Sequence, residues 1–338
     1  MPDDSIAIAA RPRVADVARL AGVSAATVSR ILNGSEMFAD ATRIRVQEAA
    51  RQLGFQPDPA ARSLRRGQGD SIALLVGDIE QGVYAGLTRH MQAALEDMGL
   101  DLLVYDLAHQ EARLRRFLER APARRLRGIV LATTDTLPED CIGLLRGLMA
   151  QQVKVIALRQ RLDQHGIASV IQDEHSAAKL ATAALLRKGR MPIAFLGRIS
   201  GSLMGAERCE GYRDALREAG HAVDGALVWD ASYRYRAGFT ATAEALQRGL
   251  AFSAILAASD ELALGAIAAL QDAGRSVPGD VAVIGFGDAD WAAYQRPSLT
   301  SLSEHPAELS GIVRGILEGK ATGLLHEVKR HLVERQSG

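Results

Sequence analysis

The feature that most constrains the fold is a regular alternation of short apolar runs with helical stretches between residues 71 and 287. The first series of runs reads "SIALLVGD", "DLLVYD", "RGIVLATT" and "KVIALR". The second series reads "SVIQD", "PIAFLG", "ALVWD", "SAILAAS" and "VAVIGFG". Because strands that alternate with helices form parallel sheets, the two series predict two α/β lobes. The predicted helices between the runs span 83–98, 110–120, 140–151, 175–187, 207–219, 238–248 and 260–273.

Ligands of open parallel sheets bind outside the carboxyl ends of the strands. Aspartates stand at or just after several predicted strand ends, namely Asp78, Asp106, Asp173, Asp230, Asp260 and Asp288. An aspartate at such a position can also close a turn or cap the next helix. For Asp260, directly after "AAS", a helix N-cap is the favoured interpretation. The pattern therefore predicts which edge of each sheet faces a ligand, and leaves open which aspartates contact it.

The composition narrows the class of protein. A chain of 338 residues is long enough for two or three domains, and its formal net charge is zero. Its two cysteines, Cys141 and Cys209, make neither a disulfide framework nor a metal cluster, so no metal or cofactor is expected and a reducing cytoplasm fits best. The chain opens with Asp3 and Asp4 rather than a basic segment, and no run of roughly 18 apolar residues occurs, which predicts a protein that is neither exported nor membrane-spanning.

Residues 11–66 carry a local positive charge within this neutral chain. Ten arginines face five acidic residues there, a net charge of +5. Local basicity of this kind indicates a polyanionic partner.

The same segment predicts three short helices. The first runs from Val14 to Ala21, the second spans 25–33 with Ser24 as its N-cap, and the third runs from an Asp40 cap to Leu53. Gly22 permits the sharp turn between the first two. The residues predicted to pack these two helices together are Val17, Leu20, Val23, Val28, Ile31 and Leu32. The arrangement matches a helix-turn-helix unit, with a generic three-helix bundle as the alternative.

The polar face of the second helix favours DNA contact over the generic bundle. This face is small and wettable, and with the capping Ser24 it comprises Ala25, Ala26, Thr27, Ser29, Arg30 and Asn33. In a major groove, arginine can form two hydrogen bonds with guanine and alanine methyl groups can meet thymine methyl groups. Arg30 is therefore predicted to read a base.

The segment "PDPAARSLRRGQG", residues 57–69, has helix signals but little length. Asp58 can cap a helix and Pro59 suits its first position, while Gly67 closes the segment after about eight residues. Because a helix this short is marginal in water, it is predicted to form only when DNA and a second copy of the chain hold it. Leu64 stands among arginines and has little core to join.

Two runs, "DVARLAGVSAATVSRILNG" and "ATRIRVQEAARQLGFQPDPAARSL", resemble the lactose/galactose repressor family of bacterial transcription regulators, and the resemblance extends over about residues 13–335. It implies an arm (1–12), an all-α helix-turn-helix domain (13–56), a hinge helix (57–69) and a two-lobed α/β effector domain (70–338) similar to periplasmic sugar-binding proteins. The first lobe is expected to comprise residues 70–168 and 298–325. The second lobe is expected to comprise residues 169–297 and 326–338. The family's hinge helix enters the minor groove, which implies that Arg62 and Leu64 contact DNA, Leu64 as an apolar wedge.

The resemblance also implies a set of effector-binding residues. Arg208, in "RCEGY", matches the arginine of a family signature that grips ligand hydroxyls or carboxylates. Tyr84 matches an aromatic residue of the first strand-helix turn. Tyr233 matches an aromatic residue that forms a wall of the pocket, and Asp173 matches the acid of the strand expected to open the second lobe. Asp260 and Asp288 complete the predicted effector-binding set.

This chain departs from the family pattern at informative positions. Arg13 replaces a threonine that usually caps the first helix, which predicts a frayed helix start, and Ser301 replaces a threonine of a conserved landmark. Gly287, in "VIGFGDAD", replaces a ligand-binding aspartate. Because this removes a negative charge while Arg208 remains, the pattern favours an anionic ligand such as a sugar acid. The short stretch after Leu317 lacks the apolar heptads of a tetramer-forming tail, so a homodimer is expected.

The sequence thus predicts a cytoplasmic, sequence-specific DNA-binding regulator, most simply a repressor. Its expected partners are a pseudo-palindromic double-stranded DNA operator, a sugar or sugar-acid effector and a second copy of itself, with no membrane partner. A binding protein of the periplasmic type without regulatory role is the alternative, and it does not account for residues 13–66. An enzyme on a doubly wound fold is disfavoured, because no nucleophile elbow, P-loop or dinucleotide fingerprint surrounds His165, Ser202 or Cys209.

Overall fold

The structure is a computed structural model that describes residues 12–32, 35, 37–55 and 69–338. The chain divides into two compact units, residues 1–69 and 70–338. The first unit contains helices α1 (Val14–Ala21), α2 (Ala25–Leu32) and α3 (Asp40–Gln52). Val17, Val28 and Val46 are fully buried between them.

Details of this small unit differ from the sequence predictions. Leu20 is 51% exposed and does not join the core. Ala39 rather than Asp40 is the N-cap of α3, and Asp40 is the first helical residue, where an anion suits the helix dipole. Arg13 has no side-chain oxygen for capping, but its backbone N–H donates to Asp16 Oδ2 at 2.9 Å. Asp16, the third residue of the helix, therefore supplies the reciprocal half of a capping box, the contact to the backbone N–H of the N-cap residue.

The second unit alternates strands and helices. Its strands are β1 (Ser71–Val76), β2 (Asp101–Asp106), β3 (Gly128–Ala132), β4 (Lys154–Leu158), β5 (Ala168–Gln172), β6 (Ile193–Gly197), β7 (Val228–Asp230), β8 (Ala254–Ala257), β9 (Ala282–Gly287), β10 (Thr300–Ser303), β11 (Leu325–Val328) and β12 (Leu332–Val333). Its α-helices are α4 (Gly82–Glu96), α5 (Glu111–Arg120), α6 (Glu139–Ala150), α7 (Glu174–Arg187), α8 (Leu203–Glu218), α9 (Tyr235–Gln247), α10 (Asp260–Asp272) and α11 (Pro306–Glu318).

These strands form two sheets, one in each lobe. The first lobe's sheet has the order β11-β5-β4-β3-β1-β2, with every neighbouring pair parallel. The second lobe's sheet has the order β12-β10-β9-β8-β6-β7, and β12 is antiparallel to β10. Helices cover both faces of the first sheet, since Leu87 and Val313 lie in one apolar cluster and Phe117 and Leu145 in another. This explains the nearly continuous apolar runs of the central strands.

The predicted lobe boundaries were wrong for particular strands. β5 was assigned to the second lobe, but it pairs with β4 and β11 in the first sheet. β10 was assigned to the first lobe, but it pairs with β9 in the second sheet. Residues 326–328 of β11 were assigned to the second lobe, but β11 pairs with β5 in the first sheet. The chain therefore crosses between lobes near Asp173, Glu304 and Lys329. Periodicity identifies a strand, whereas the choice of its neighbours depends on tertiary packing.

Helix α8 also begins earlier than predicted, at Leu203, because Ser202 Oγ accepts a hydrogen bond from the Gly205 N–H at 3.2 Å. Among the described residues, no helix is long and apolar enough to cross a membrane.

Candidate functional site

Helix α2 of the first unit presents the predicted polar face. Ser24 Oγ accepts a hydrogen bond from the Thr27 N–H at 3.1 Å, so the predicted N-cap is present. Ala25, Ala26 and Arg30 are exposed, while Thr27 and Ser29 are half-buried. Arg30 is exposed near the end of α2 and makes no ion pair with any residue in the described part of the chain. Asn33, Arg62 and Leu64 lie outside the described residues.

The second unit contains a cavity between its two lobes, at the carboxyl ends of the strands. Its empty volume is about 340 Å³, including space open to solvent. Aromatic and polar side chains line it in a mixture that is typical of small-molecule sites. The lining residues are Gln81, Val83, Tyr84, Thr134, Arg159, Met204, Arg208, Tyr233, Ala258, Ser259, Glu261, Phe286, Gly287 and Glu304.

Two buried oxygen atoms of this lining have no partner among the described residues. They are Thr134 Oγ1, from the first lobe, and Glu261 Oε2, from the second. Buried polar atoms are almost always hydrogen-bonded, so each one that is not requires an explanation. Burial raises the pKa of the Glu261 carboxyl, although hydrogen bonds such as the one from the Gly82 N–H lower it. A ligand that donates and accepts hydrogen bonds would satisfy both oxygens.

Arg208 lines the cavity from helix α8, as the sequence predicted. A Cβ atom at Gly211, one turn later, would lie 2.1 Å from the carbonyl oxygen of His175, so a glycine here allows α7 and α8 to pack closely. The Arg208 guanidinium stacks on the Phe286 ring with 4.2 Å to the centroid. Its Nε donates to Glu174 Oε2 at 2.8 Å and its Nη1 donates to the Ala258 carbonyl. Arg208 is thus held rigidly and partly neutralised by protein groups.

A second buried arginine, Arg159, reaches the cavity from the first lobe. It follows β4 directly and adopts a left-handed backbone conformation with φ of 67°. Its guanidinium lies over the Tyr84 ring, 4.6 Å from the centroid, and pairs with Glu304. Burial raises the pKa of the Glu304 carboxyl, but Arg159 and Arg330 outweigh this and lower it to about 2. Glu304 is therefore ionised and the pair is a true ion pair.

The remaining predicted residues divide into two groups. Tyr84 and Tyr233 line the cavity and are almost fully buried. Asp173, Asp260 and Asp288 do not line it. Asp173 is exposed and caps α7 by accepting from the Ser176 N–H at 2.8 Å. Asp288 pairs with Arg335 Nη2 at 2.6 Å.

Asp260 is neither the favoured N-cap nor a lining residue. Ser259 caps α10, with its Oγ accepting from the Leu262 N–H at 3.2 Å. Asp260 is fully buried, and its two oxygens accept from Ser301 Oγ at 2.5 Å and from the Ala289 N–H at 2.8 Å. Burial raises the pKa of this carboxyl to about 7, against the effect of these hydrogen bonds. Asp260 holds β10 and the loop after β9 in place.

Gly287 lines the cavity, and the backbone conformation there requires glycine. Its φ is 130°, and a Cβ atom would lie 2.5 Å from Val83 Cγ1 of the other lobe. The absence of an aspartate here therefore has a steric cause as well as an electrostatic effect. This weakens the expectation of an anionic ligand.

Contacts between the lobes close the cavity. Arg198 Nη1 lies 2.6 Å from Asp135 Oδ1, and the Gly82 N–H donates to Glu261 Oε1 at 2.7 Å. Arg234 Nη2 lies 2.8 Å from Asp78 Oδ2. Burial raises the pKa of Asp135, but hydrogen bonds led by that from His109 lower it to about 2, so the pair with Arg198 is charged. The lobes are thus held together by polar contacts that a rotation of one lobe would break.

Sequence reasoning missed Arg159, Glu174, Glu261, Glu304 and Arg330. Arg159 directly follows a predicted strand, so the strand-end rule would have found it had it been applied to every charged residue type. Glu304 follows β10, which was not predicted as a strand. Glu261 is adjacent to the predicted residue Asp260, and a correct assignment of which residue at the start of α10 faces the cavity would have identified it. Arg330 lies in a C-terminal segment with no local signal.

A two-lobed α/β unit with a cavity between its lobes, joined in one chain to a helix-turn-helix unit, defines a ligand-responsive DNA-binding regulator rather than an enzyme. Residues 69–309 match the family of periplasmic binding proteins and sugar-binding domains of the LacI family, and residues 13–58 match the bacterial regulatory proteins of the lacI family. The chain belongs to the LacI family of transcriptional regulators.

Relatives and solved structures agree with this assignment. The HTH-type transcriptional regulator CelR of Thermobifida fusca is 32% identical over 345 residues, covering 97% of this chain and 98% of its own. The HTH-type transcriptional regulator GalR of Escherichia coli (strain K12) is 32% identical over 289 residues, covering 86% of this chain and 83% of its own.

Among solved structures, the CelR–cellobiose complex has a TM-score of 0.69 at 28% identity and covers 97% of this chain and 100% of its own. The Lac repressor bound to ONPG has a TM-score of 0.85 at 22% identity, covers 97% of this chain and 99% of its own, and shows the shared fold.

Proposed function

We propose that this regulator binds a small, neutral, polyhydroxylated effector of the carbohydrate class in the cavity between its lobes. The observation that carries the proposal is the pair of buried, unpartnered oxygens, Thr134 Oγ1 and Glu261 Oε2, in a cavity walled by aromatic rings. Sugar hydroxyls both donate and accept hydrogen bonds, and sugar C–H faces pack on aromatic rings such as Tyr84 and Phe286. A relative's solved structure holds cellobiose, which is a ligand of this class.

The charge around the cavity supports a neutral ligand over the sugar acid predicted from the sequence. Three buried arginines, Arg159, Arg208 and Arg330, are connected to the carboxylates of Glu174 and Glu304. Glu261 adds a third carboxyl that faces the cavity. Two of the three arginine charges are therefore matched by Glu174 and Glu304, and a ligand carboxylate would be placed near the unpartnered Glu261 oxygen.

The effector controls DNA binding by changing the balance between open and closed lobes. We propose that the protein acts in the cytoplasm as a homodimeric repressor on a pseudo-palindromic operator. In that complex, the face of α2 from Ser24 to Asn33 reads the major groove and residues 57–69, with Arg62 and Leu64, contact the minor groove. β2 is an edge strand of the first sheet with exposed Leu103 and Val104, which suits contact with a second copy.

The test is calorimetric titration of the full chain with D-galactose, D-ribose and cellobiose, and with D-galacturonate as the charged counterpart of galactose. The proposal expects binding of at least one neutral sugar and weaker binding of the acid than of galactose. Thr134→Val removes the unpartnered hydroxyl at nearly constant volume, so it is expected to weaken sugar binding about tenfold, as loss of one hydrogen bond to a polar ligand does, without loss of thermal stability.

Thr182→Val is the matched control, because the Thr182 hydroxyl is buried but already donates to the Ala178 carbonyl at 2.8 Å within α7. This variant is expected to lose stability and keep wild-type sugar affinity. Preferential binding of galacturonate by the wild type would overturn the neutral class of ligand. Wild-type affinity in Thr134→Val would remove Thr134 from the site.

A further inference from the structure

Arg330 lies where the three segments that connect the lobes come together in the fully described unit 70–338. It belongs to the segment between β11 and β12. Its Nη2 donates to Gln172 Oε1 at 2.9 Å at the end of β5, and its Nη1 donates to the Ser303 carbonyl at 3.0 Å at the end of β10. Its side chain is 1% exposed and does not line the cavity. One buried side chain therefore contacts all three crossovers.

Arg330 also pairs with two buried glutamates. Its Nη2 and Nε lie 2.7 and 3.1 Å from Glu174 Oε1 and Oε2, in a two-point contact. Its Nη1 lies 2.9 Å from Glu304 Oε2. Two-point contacts between arginine and carboxylate fix the orientation of both groups. Glu174 and Glu304 therefore have a defined position relative to each other, although they belong to different crossovers.

Each glutamate uses a further contact to hold an arginine that lines the cavity. Glu174 Oε2 accepts from Arg208 Nε at 2.8 Å, and Glu304 Oε1 accepts from Arg159 Nε at 3.0 Å. The groups form a buried chain in the order Arg159, Glu304, Arg330, Glu174, Arg208. Its two ends reach the cavity from opposite lobes. Because buried charges are stable only when paired, removal of the central cation leaves each glutamate with one partner in place of two.

We infer that Arg330 is a positioning residue for the effector site, which fixes the two cavity arginines, Arg159 and Arg208, relative to each other through Glu304 and Glu174. The inference rests on the proposed function of the cavity. Arg330 lies outside the cavity, and by this inference it keeps an arginine from each lobe in the position that binds the ligand. The inference also predicts that Arg330 acts on ligand affinity through these arginines more than through its own contact with the Phe286 ring, whose centroid lies 5.7 Å from its guanidinium carbon.

The test is a double-mutant cycle on sugar affinity in the full chain, with the sugar of the galactose, ribose and cellobiose panel that the wild type binds most tightly. Arg330→Met is expected to weaken binding tenfold or more, of the order found for buried groups in one network. In an Arg208→Met background, Arg330→Met should have a smaller effect than in the wild type, because one of the two arginines through which it acts is gone and only the branch through Glu304 to Arg159 remains. In a Tyr233→Phe background it should keep its full effect.

Arg335→Met is the matched control. Arg335 is a mostly buried arginine that follows β12. Its Nη1 donates to the Leu299 carbonyl at 2.7 Å and its Nη2 pairs with Asp288, but it has no contact with Glu174 or Glu304. Its loss should lower stability without the coupling to Arg208. Arg330→Lys keeps the charge and loses the two-point contact, so it should fold like the wild type and bind sugar with intermediate affinity.

Equal fold-changes for Arg330→Met in the wild-type and Arg208→Met backgrounds would overturn the inference. Crystal structures of wild type and Arg330→Lys without sugar give a second test that does not depend on the ligand. Displacement of Arg159 or Arg208 from its glutamate supports the inference, and unchanged positions of both contradict it. If the wild type binds no sugar of the panel, the proposed ligand class fails, while this structural comparison still decides the role of Arg330.

Discussion

Replacement of Asp260 by asparagine should change how the stability of the protein depends on pH. The Asp260 carboxyl is fully buried, and burial raises its pKa to about 7 in the folded protein, against a value of 3.8 for an unperturbed aspartate. Between these two values the folded state holds a proton that the unfolded state has lost. The folded state therefore binds more protons, and this group makes the free energy of unfolding fall as pH rises from about 4 to about 7.

The size of the effect follows from the difference between the two pKa values. Each unit corresponds to about 1.4 kcal/mol, so between pH 5 and pH 8 the Asp260 carboxyl should lower the free energy of unfolding by about 2–3 kcal/mol. Asparagine can keep both contacts, because its oxygen can accept from the Ala289 N–H while its NH₂ group donates to Ser301 Oγ. The Asp260→Asn variant should therefore gain stability relative to wild type at pH 8 and gain much less at pH 5.

Urea unfolding of both proteins at several values of pH from 5 to 8 measures this difference. Asp272→Asn, at the exposed end of the same helix, is the control and should leave the pH dependence unchanged. A constant difference between Asp260→Asn and wild type across the range would refute the argument, because it would mean that the buried carboxyl has the same charge at pH 5 and pH 8.

Further predictions concern the DNA contacts and the closed cavity. Arg30→Ala should weaken binding to the cognate operator by roughly 1–3 kcal/mol and relax preference at one base pair; equal losses on cognate and random DNA in anisotropy titrations would instead make Arg30 a phosphate contact. Leu64→Ala should reduce specific operator affinity about tenfold and reduce bending, with random-DNA binding preserved; a wild-type bend angle would make residues 57–69 a simple linker. Gly287→Ala places a Cβ 2.5 Å from Val83 Cγ1, so it should hinder lobe closure and lower sugar affinity, and undiminished affinity in calorimetry would contradict this.

The sequence was a good guide to individual elements, including the helices of the first unit. The alternation of apolar runs predicted β1 to β9 but not the last three strands, β10 to β12. Ser24 caps α2 as its position after the Gly22 turn predicted. The lobe assignments of β5 and β10 could not be read from periodicity, because neither the apolar run of β5 nor the mostly polar β10 indicates which sheet it joins. Only the pairing of β5 with β4, and of β10 with β9, decides where the chain crosses.

The candidate site was harder to predict for a physical reason. The strand-end rule located the correct edge, and it led to aspartates that cap helices or brace loops, such as Asp173 and Asp260. The charged groups that organise the cavity are buried glutamates and arginines whose partners are distant in sequence. Arg330 and Glu174 are an example, since 156 positions separate them. Such charged groups are stable in the protein interior only when every one of them is paired within the network. Because the paired residues are far apart in sequence, the network leaves no local pattern there.

The most direct test of the account is the affinity of the full chain for its operator with and without sugar. A duplex is first selected from a random pool by the protein, and its binding is then followed by fluorescence anisotropy with increasing concentrations of the sugar that binds in calorimetry. The account predicts a pseudo-palindromic selected site and a change in affinity of about tenfold or more at saturating sugar, a typical coupling between two sites. It also predicts that Thr134→Val binds the same duplex with wild-type affinity and needs a higher sugar concentration for the same change. An operator affinity that is the same at zero and saturating sugar would contradict the claim that the cavity controls DNA binding.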